Sequence, residues 1–438
     1  MNFDEIRNQI DELITLYIEK REESKTFTPV ENKVQYAGPV YGPEEIKAMI
    51  GSILDGWFGV GKQARAFEQE FAAFLGVKNS LVTNSGSSAN LIALSALKAN
   101  EFRRKLEPGD EIITQAVTFP TTFNPIIQNG FTPVLVDVDL GTYNPNIEQI
   151  ERAITSKTKA IVILHQLGNP NAMTEIMDLA KKHDLIVIED TCDALGSTYD
   201  GKLVGTFGDM ATFSFYVAHH MTMGEGGAIA VNDNGLNLIC RSIRDWGRAC
   251  ACPICEVVKN PDKPCPFKTK SGILPEGYDI RYVYTNIGYN LKPMEFQTAM
   301  GRVQLKKIPE FIKKRNENFN RLLKTFKDYE EYFILPESLP KAEPAWFAFP
   351  LTIKDSAPFS RRDFLSYLEK RNVETRLFFA GNIIRHPAYL GLNFRTVGSL
   401  SNADKVLRDS FFMGIYPGIS SEKMGFVTET VREFLKEV

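Results

Sequence analysis

Apolar and polar positions follow two different periods along this chain. Between about residues 60 and 235, short apolar runs recur at 80–83, 111–114, 133–136, 160–164, 185–188, 211–215 and 228–231. They read as buried strands. Between most of them the spacing lengthens to the helical period, as at 64–75, 87–98 and 174–183. This alternation predicts an α/β fold with a mostly parallel sheet covered on both faces, its functional residues at the C-terminal strand ends. Ahead of it, Phe3, Ile6, Ile10, Leu13, Ile14 and Tyr17 share one helical face within 1–24. An amphipathic helix is expected there, packed on the body or on a partner subunit.

The pattern breaks at 250–285, which carries five prolines and four of the six cysteines. A loop of that length inside a compact domain is usually functional. Helix resumes near 293 and runs to about 327, followed by a strand at 347–353 and helices at 360–371 and 403–412. The expected organisation is an N-terminal helical extension (1–40), a large domain (41–305) carrying the Cys-rich loop, and a smaller α+β domain (306–438).

Composition narrows the function classes. With 438 residues, 43% hydrophobic and 24% charged, the chain is ordinary for a globular protein. A formal net charge of −3 gives no reason to expect a nucleic acid or an anionic membrane as partner. No apolar run approaches the ~18 residues of a membrane span, and no signal-peptide pattern opens the chain, so a cytoplasmic location is expected. In a reducing compartment, Cys192, Cys250, Cys252, Cys255 and Cys265 suggest a metal rather than disulfides. Cys240 falls on a helical stretch and reads as core.

Three strand ends carry candidate chemistry. Thr83-Asn-Ser-Gly-Ser-Ser-Ala-Asn90 follows a strand and opens a helix, where backbone N–H groups and hydroxyls suit a phosphate or form a plain helix cap. Asp190 ends an apolar strand, aimed at a ligand or capping the next segment. Phe119 ends another, as a packing residue or a flat partner for a ring. The block Ser214-Phe-Tyr-Val-Ala-His-His-Met-Thr-Met-Gly-Glu-Gly-Gly227 follows a fourth strand.

Taken in order, these blocks resemble the DegT/DnrJ/EryC1/StrS family of sugar aminotransferases and dehydratases. The likeness extends to Phe67-Glu68…Phe71…Leu75-Gly76, Val136-Asp-Val-Asp139, Gly288-Tyr-Asn290 and Gln304-Leu305, and spans about residue 40 to the end. It implies the aspartate-aminotransferase fold (type I) and a pyridoxal or pyridoxamine 5′-phosphate cofactor. By resemblance, Gly86, Ser87, Ser88 and Ser214 hold the phosphate and Phe119 stacks on the ring. Asp190 pairs with the pyridine nitrogen. Asp193 lies beside the phenolic oxygen, where the family usually has Gln. Asn290 reaches the neighbouring subunit's phosphate, which implies a homodimer. Arg376 matches a Thr-Arg near the family's substrate site.

One position departs from the aminotransferase pattern. Counting from Ser214-Phe215, the covalent lysine is replaced by His219, and no lysine lies anywhere in 203–258. Imidazole makes no stable imine but serves as a base near neutral pH. The expected reaction shifts from amino transfer to proton removal with loss of a sugar hydroxyl.

The cysteine spacing alone suits zinc or an iron–sulfur cluster. Cys192 lies two residues after Asp190, and an electron carrier, unlike a structural zinc, must sit near its acceptor. Cys192, 57 intervening residues, Cys250, one residue, Cys252 and a later cysteine resemble one branch of the family, the CDP-4-dehydro-6-deoxyglucose 3-dehydratases. That branch carries His at the lysine position and a [2Fe–2S] cluster. Its fourth cysteine follows Cys-x-Cys after seven intervening residues, where this chain has Asn260. Cys265 is matched to the fourth ligand, with Cys255 as competitor. The expected function is pyridoxamine-phosphate-dependent, iron–sulfur-assisted C3 deoxygenation of a CDP-4-keto-6-deoxyhexose. The electrons would come from a separate NAD(P)H-dependent flavin/iron–sulfur reductase, in 3,6-dideoxysugar synthesis for surface polysaccharide. The rivals are a cluster-free 3-dehydratase using glutamate as amine donor and a non-catalytic zinc-binding homologue.

Overall fold

A computed structural model describes residues 1–250, 252 and 273–438. Three helices come first: α1 (Phe3–Glu23), α2 (Pro43–Leu54) and α3 (Lys62–Leu75). Strands and helices then alternate as expected: β1 (Asn79–Thr83), α4 (Gly86–Ala96), β2 (Glu111–Gln115), α5 (Pro120–Gln128), β3 (Thr132–Val136), α6 (Ile147–Ala153), β4 (Thr158–Leu164), α7 (Met173–His183) and β5 (Ile186–Asp190). A short hairpin, β6 (Thr198–Tyr199) and β7 (Lys202–Leu203), precedes β8 (Met210–Ser214), β9 (Gly227–Val231) and α8 (Asn234–Arg244).

The large sheet has the order β1-β9-β8-β5-β4-β2-β3-β14, where β14 is Arg395–Thr396. Within it β9 alone runs antiparallel to its neighbours, β1 and β8. The loop from β8 back into β9 therefore turns over the C-terminal end of the parallel strands, and residues 215–226 land where ligands bind. Helices on both faces bury the strands; β2 and β5 are buried at every position.

Helix α9 (Glu295–Lys327) continues without a break into a second, smaller sheet. That sheet is antiparallel, with the order β10-β12-β15-β13, where β10 is Phe333–Ile334, β12 Phe349–Ile353, β13 Thr375–Leu377 and β15 Ser410–Met413. Helices α10 (Arg361–Lys370) and α12 (Ser421–Glu437) pack with it around a separate core that includes Phe326, Phe364 and Phe411. Strand β11 (Ala342–Glu343) instead pairs with β6.

Two sequence expectations shift. The helix expected at 403–412 is α11 (Ser401–Asp409) followed by β15, because Ser410–Met413 pairs on both sides and tertiary pairing overrides a short apolar run of ambiguous period. Strand β5 ends at Asp190 as expected, with Glu189 and Asp190 both buried. On α1 the buried seam is rotated: Ile10 and Ile14 are partly covered and Ile18 is buried, whereas Phe3, Leu13 and Tyr17 remain exposed. No described helix is long and apolar enough to cross a membrane.

Candidate active site

The C-terminal ends of β1, β5 and β8, the loop after β8 and the small domain enclose a cavity of about 530 Å³. That size suits a cofactor with part of a substrate. Its wall includes Ser85, Gly86, Ser87, Phe119, Asp190, Cys192, Asp193, Ser214, Tyr216, His219, Phe347 and Arg376.

One wall is the N-terminus of α4. Ser85 caps the helix, its Oγ accepting from the Ser88 N–H at 3.0 Å. Gly86 and Ser87, the first two residues of the helix, remain at the cavity, an arrangement suited to an anion. Ser88 belongs to the cap: its Oγ lies 3.0 Å from that of Ser85. Gly86 is dictated by crowding, since a Cβ there would fall 2.5 Å from the Ser214 Cβ and 3.0 Å from the Cys192 Sγ. Gly227 is fixed in the same way, because a Cβ would meet the Ser85 carbonyl group at 2.4 Å. These two glycines let β8, β9 and the α4 turn close on one another.

Strand alternation divides the Glu189-Asp190 pair. Glu189 accepts from the N–H groups of Gly205, Phe207 and Gly208 at 2.7–2.8 Å and lies 3.1 Å from His165 Nε2, so it caps the neighbouring turn. Asp190 faces the cavity. Its Oδ2 accepts from Asn90 Nδ2 at 2.8 Å and Thr122 Oγ1 at 2.7 Å, and its Oδ1 from the Cys192 N–H at 3.1 Å. Asn90 is in turn oriented by Thr212 Oγ1 at 2.6 Å. Three donors thus hold one carboxylate in a fixed orientation.

His219 sits in the loop between β8 and β9, its N–H donating to the Tyr216 carbonyl at 3.0 Å. The ring packs 5.4 Å from Phe347, and Nδ1 lies 3.5 Å from Asp193 Oδ1 without hydrogen-bond geometry. Burial, aided by the Arg315 cation, pulls the imidazole pKa down to about 3. Burial and the nearby Asp190 charge push Asp193 well above the carboxylate range. Both shifts disfavour the charged forms, so near neutral pH the imidazole is neutral and not the cation of an ion pair. His220 points elsewhere, its Nε2 2.8 Å from the Ala345 carbonyl oxygen.

The other expected residues separate. Phe119 is at the cavity, its ring edge-on to Phe379 at 5.7 Å. Arg376 is also there, stacked over Tyr36 at 4.2 Å and paired with Glu374 at 2.8 Å. Asn290 is exposed, is not among the residues lining the cavity, and accepts from Lys292 Nζ at 2.6 Å. Cys192 lines the cavity, and burial with Asp190 and Asp193 raises its thiol pKa. Cys250 follows Ala249, whose N–H bonds to the Val283 carbonyl. Cys255 and Cys265 lie outside the described residues. Among the described residues no three His, Cys, Asp or Glu side chains converge as a metal site. Cys240 is fully buried.

Sequence reasoning missed Asn90 and Thr122, which hold Asp190, and Arg315. The signal for Arg315 was available: Ile308, Phe311, Phe319, Leu322 and Phe326 form the buried stripe of α9, and Arg315 interrupts it. A buried charge at a core position demands partners.

Comparison with known proteins agrees with this geometry. Residues 40–432 match the DegT/DnrJ/EryC1/StrS aminotransferase family. The chain is 44% identical over 438 residues to the lipopolysaccharide biosynthesis protein RfbH of Salmonella typhimurium, covering 99% of both chains. It is 43% identical over 419 residues to the dTDP-4-dehydro-2,6-dideoxy-D-glucose 3-dehydratase of Saccharopolyspora spinosa, covering 95% of this chain and 89% of that one. Among solved structures, E. coli GDP-4-keto-6-deoxy-D-mannose-3-dehydratase with bound hydrated PLP superposes with a TM-score of 0.82 at 31% identity, covering 91% of this chain and 99% of that one.

Proposed function

We propose, from the premise that this chain belongs to the DegT/DnrJ/EryC1/StrS aminotransferase family, that it is a sugar-nucleotide 3-dehydratase dependent on pyridoxal or pyridoxamine phosphate. One observation carries the reading: a neutral His219 stands in the wall of a phosphate-cradled cavity whose lining residues include no lysine. The relatives named as 3-dehydratases support it.

The residues present fit the cofactor. Gly86, Ser87 and Ser214 line the cavity at the start of α4, where they would hold the phosphate, and Ser88 supports them through the Ser85 cap. Asp190 offers an oriented carboxylate to a pyridinium nitrogen, and Phe119 an exposed ring face. When bound, pyridoxamine phosphate supplies an amine for the sugar's C4 ketone and an electron sink for the charge left by proton loss at C4′. The chain's own residues do the rest. His219, neutral and without a partner at Nδ1, takes the C4′ proton. Asp193, whose buried carboxyl is held above its ordinary range, would stand beside the phenolic oxygen. Arg376 and Tyr36 line the same cavity and would contact the sugar nucleotide. Asn290, exposed on one chain, serves the phosphate site of a second copy in a homodimer.

The finer reading is reductive deoxygenation of a CDP-4-keto-6-deoxyhexose. The C3 hydroxyl leaves as water, and two electrons and two protons enter from a separate NAD(P)H-dependent flavin/iron–sulfur reductase. A [2Fe–2S] cluster on Cys192, Cys250, Cys252 and Cys265 would carry single electrons. Its support is the cysteine spacing and the position of Cys192 beside Gly86 and Asp190 at the cavity. The second reading, a cluster-free dehydratase using glutamate, is favoured by the likeness to the E. coli enzyme with bound hydrated PLP.

Anaerobically purified protein separates the readings. Iron and sulfide analysis, visible and EPR spectra, and a panel of CDP-, dTDP- and GDP-4-keto-6-deoxyhexoses are run with a reductase or with glutamate. Cluster signals with reductase-dependent turnover of the CDP sugar are expected. Metal-free protein that turns over fully on glutamate supports the second reading, and zinc alone sinks the cluster. Loss of C4′ hydrogen exchange with solvent in His219→Asn, with cofactor binding intact, tests the assigned base.

A further inference from the structure

We propose that Arg315 is a positioning residue that locks the His219 loop against the small domain through three backbone carbonyls. Its Nη2 donates to the carbonyls of His219 at 3.0 Å and Ala218 at 3.3 Å. Its Nη1 donates to the carbonyl of Phe347 at 2.8 Å, just ahead of β12. The guanidinium is fully buried and its Nε has no partner. The planar fork joins three pieces of structure: helix α9, the loop carrying His219, and the segment whose Phe347 ring packs on His219.

Burying an unpaired cation among carbonyl dipoles is costly, and a hydrophobic residue would fill the same helical stripe without that cost. Geometry supplies the compensating role. Arginine alone reaches two loop carbonyls and one small-domain carbonyl with fixed donors. The cation also faces the two groups whose protonation matters. It disfavours a proton on His219, whose backbone carbonyl it holds. The charged and titratable groups around His219 are Asp193 after β5, Arg315 from α9, and Tyr216 and His220 in its own loop. Asp190, Cys192, Glu225 and Arg376 stand around the same cavity. Arg315 is the cation packed against the loop from behind, through the His219 backbone.

This rests on His219 being the base, and the test keeps the two apart. The chain has five histidines. The apoprotein is labelled at histidine Cε1, and its NMR titration is followed for the parent, Arg315→Met and Arg315→Lys, with His219→Asn assigning the resonance. In the parent, the His219 signal is expected to stay neutral to below about pH 5. In Arg315→Met its midpoint rises by at least about one pH unit, and in Arg315→Lys by less. The buried His165 signal reports an intact fold. Midpoints within about 0.3 unit of the parent in both folded variants would overturn the proposal. Should neither variant fold, the parent decides: its Arg315 Nη protons must exchange slowly with solvent, and fast exchange overturns the lock. On a substrate the parent accepts, Arg315→Met should lower kcat about tenfold or more with little change in KM. If His219→Asn keeps full turnover, the base assignment fails while the titration result stands.

Discussion

Asp190→Asn exposes how the site holds its carboxylate. The native side chain accepts three hydrogen bonds, two at Oδ2 and one at Oδ1. An amide has one oxygen and one NH2 group. Placed with nitrogen at the Oδ2 position it confronts the Asn90 amide, which Thr212 already orients, and Thr122 must rotate to accept. Placed the other way it confronts the Cys192 N–H. Either orientation breaks at least one hydrogen bond to a charged acceptor, worth about 1.5–3 kcal/mol, and removes the charge itself. The apoprotein should therefore unfold at lower denaturant, and pyridoxamine phosphate affinity should fall at least about tenfold, each 1.4 kcal/mol being one decade. Thr122→Val deletes one donor and keeps the charge, so it should cost the apoprotein similarly while affecting affinity less. Fluorescence titration with pyridoxamine phosphate and urea unfolding of both variants read the two effects. Affinity and unfolding midpoint both unchanged in Asp190→Asn would refute the reasoning that this carboxylate is a held ligand for the cofactor.

Other outcomes follow from the same geometry. Glu68→Gln leaves Arg241 and Arg244 buried beside a neutral amide, where Glu68 had paired with both at 3.0 and 3.2 Å. A loss of about 3–5 kcal/mol is expected, read as a shorter half-life at elevated temperature. Gly227→Ala forces a Cβ onto the Ser85 carbonyl group at 2.4 Å, so soluble protein, if obtained, should have lost pyridoxamine phosphate binding by equilibrium dialysis. His219 carries the acid-side prediction. Its folded pKa of about 3 lies below the ordinary 6.5, so the unfolded chain binds the extra proton between those values. The stability it contributes is complete above pH 6.5 and is lost as pH falls toward 3. His219→Asn should flatten that part of the apoprotein's urea-midpoint profile, and an unchanged slope would show that other groups set it.

The central sheet was legible because its strands are buried on both faces and read as unbroken apolar runs between helical periods. Asp190 and Gly86 were legible because a carboxylate at a strand end and a glycine at a helix start stand out from such runs. What escaped was held by distant partners. Asn90 and Thr122 lie 100 and 68 residues from Asp190 in sequence, and either resembles an ordinary polar residue in a helix turn. Strand β14 adds two residues to the edge of a sheet formed more than 250 residues earlier, which no local pattern encodes. On α1 the row at Phe3, Leu13 and Tyr17 is exposed in the single chain and is left for a partner subunit, because a periodicity fixes which residues share a face, not which surface covers it.

Replacing a covalent lysine by histidine leaves two tasks that one lysine performed, anchoring the cofactor and moving its proton. The proposed function divides them between separate residues. Anchoring falls to the α4 turn, whose closeness to Ser214 excludes any residue but glycine at 86, and to the triply held Asp190. Proton transfer would fall to His219, which serves only if its imidazole is neutral and its ring is fixed. Burial supplies the first condition, and Phe347 with the Arg315 fork supplies the second. A site built this way has an asymmetry that a lysine site lacks. Damage to the cradle should release the cofactor without altering the His219 titration, whereas damage behind the His219 loop should alter the titration and leave the cofactor bound. Measuring both quantities in Asp190→Asn and Arg315→Met distinguishes a divided site from a single cooperative one, in which each substitution would disturb both.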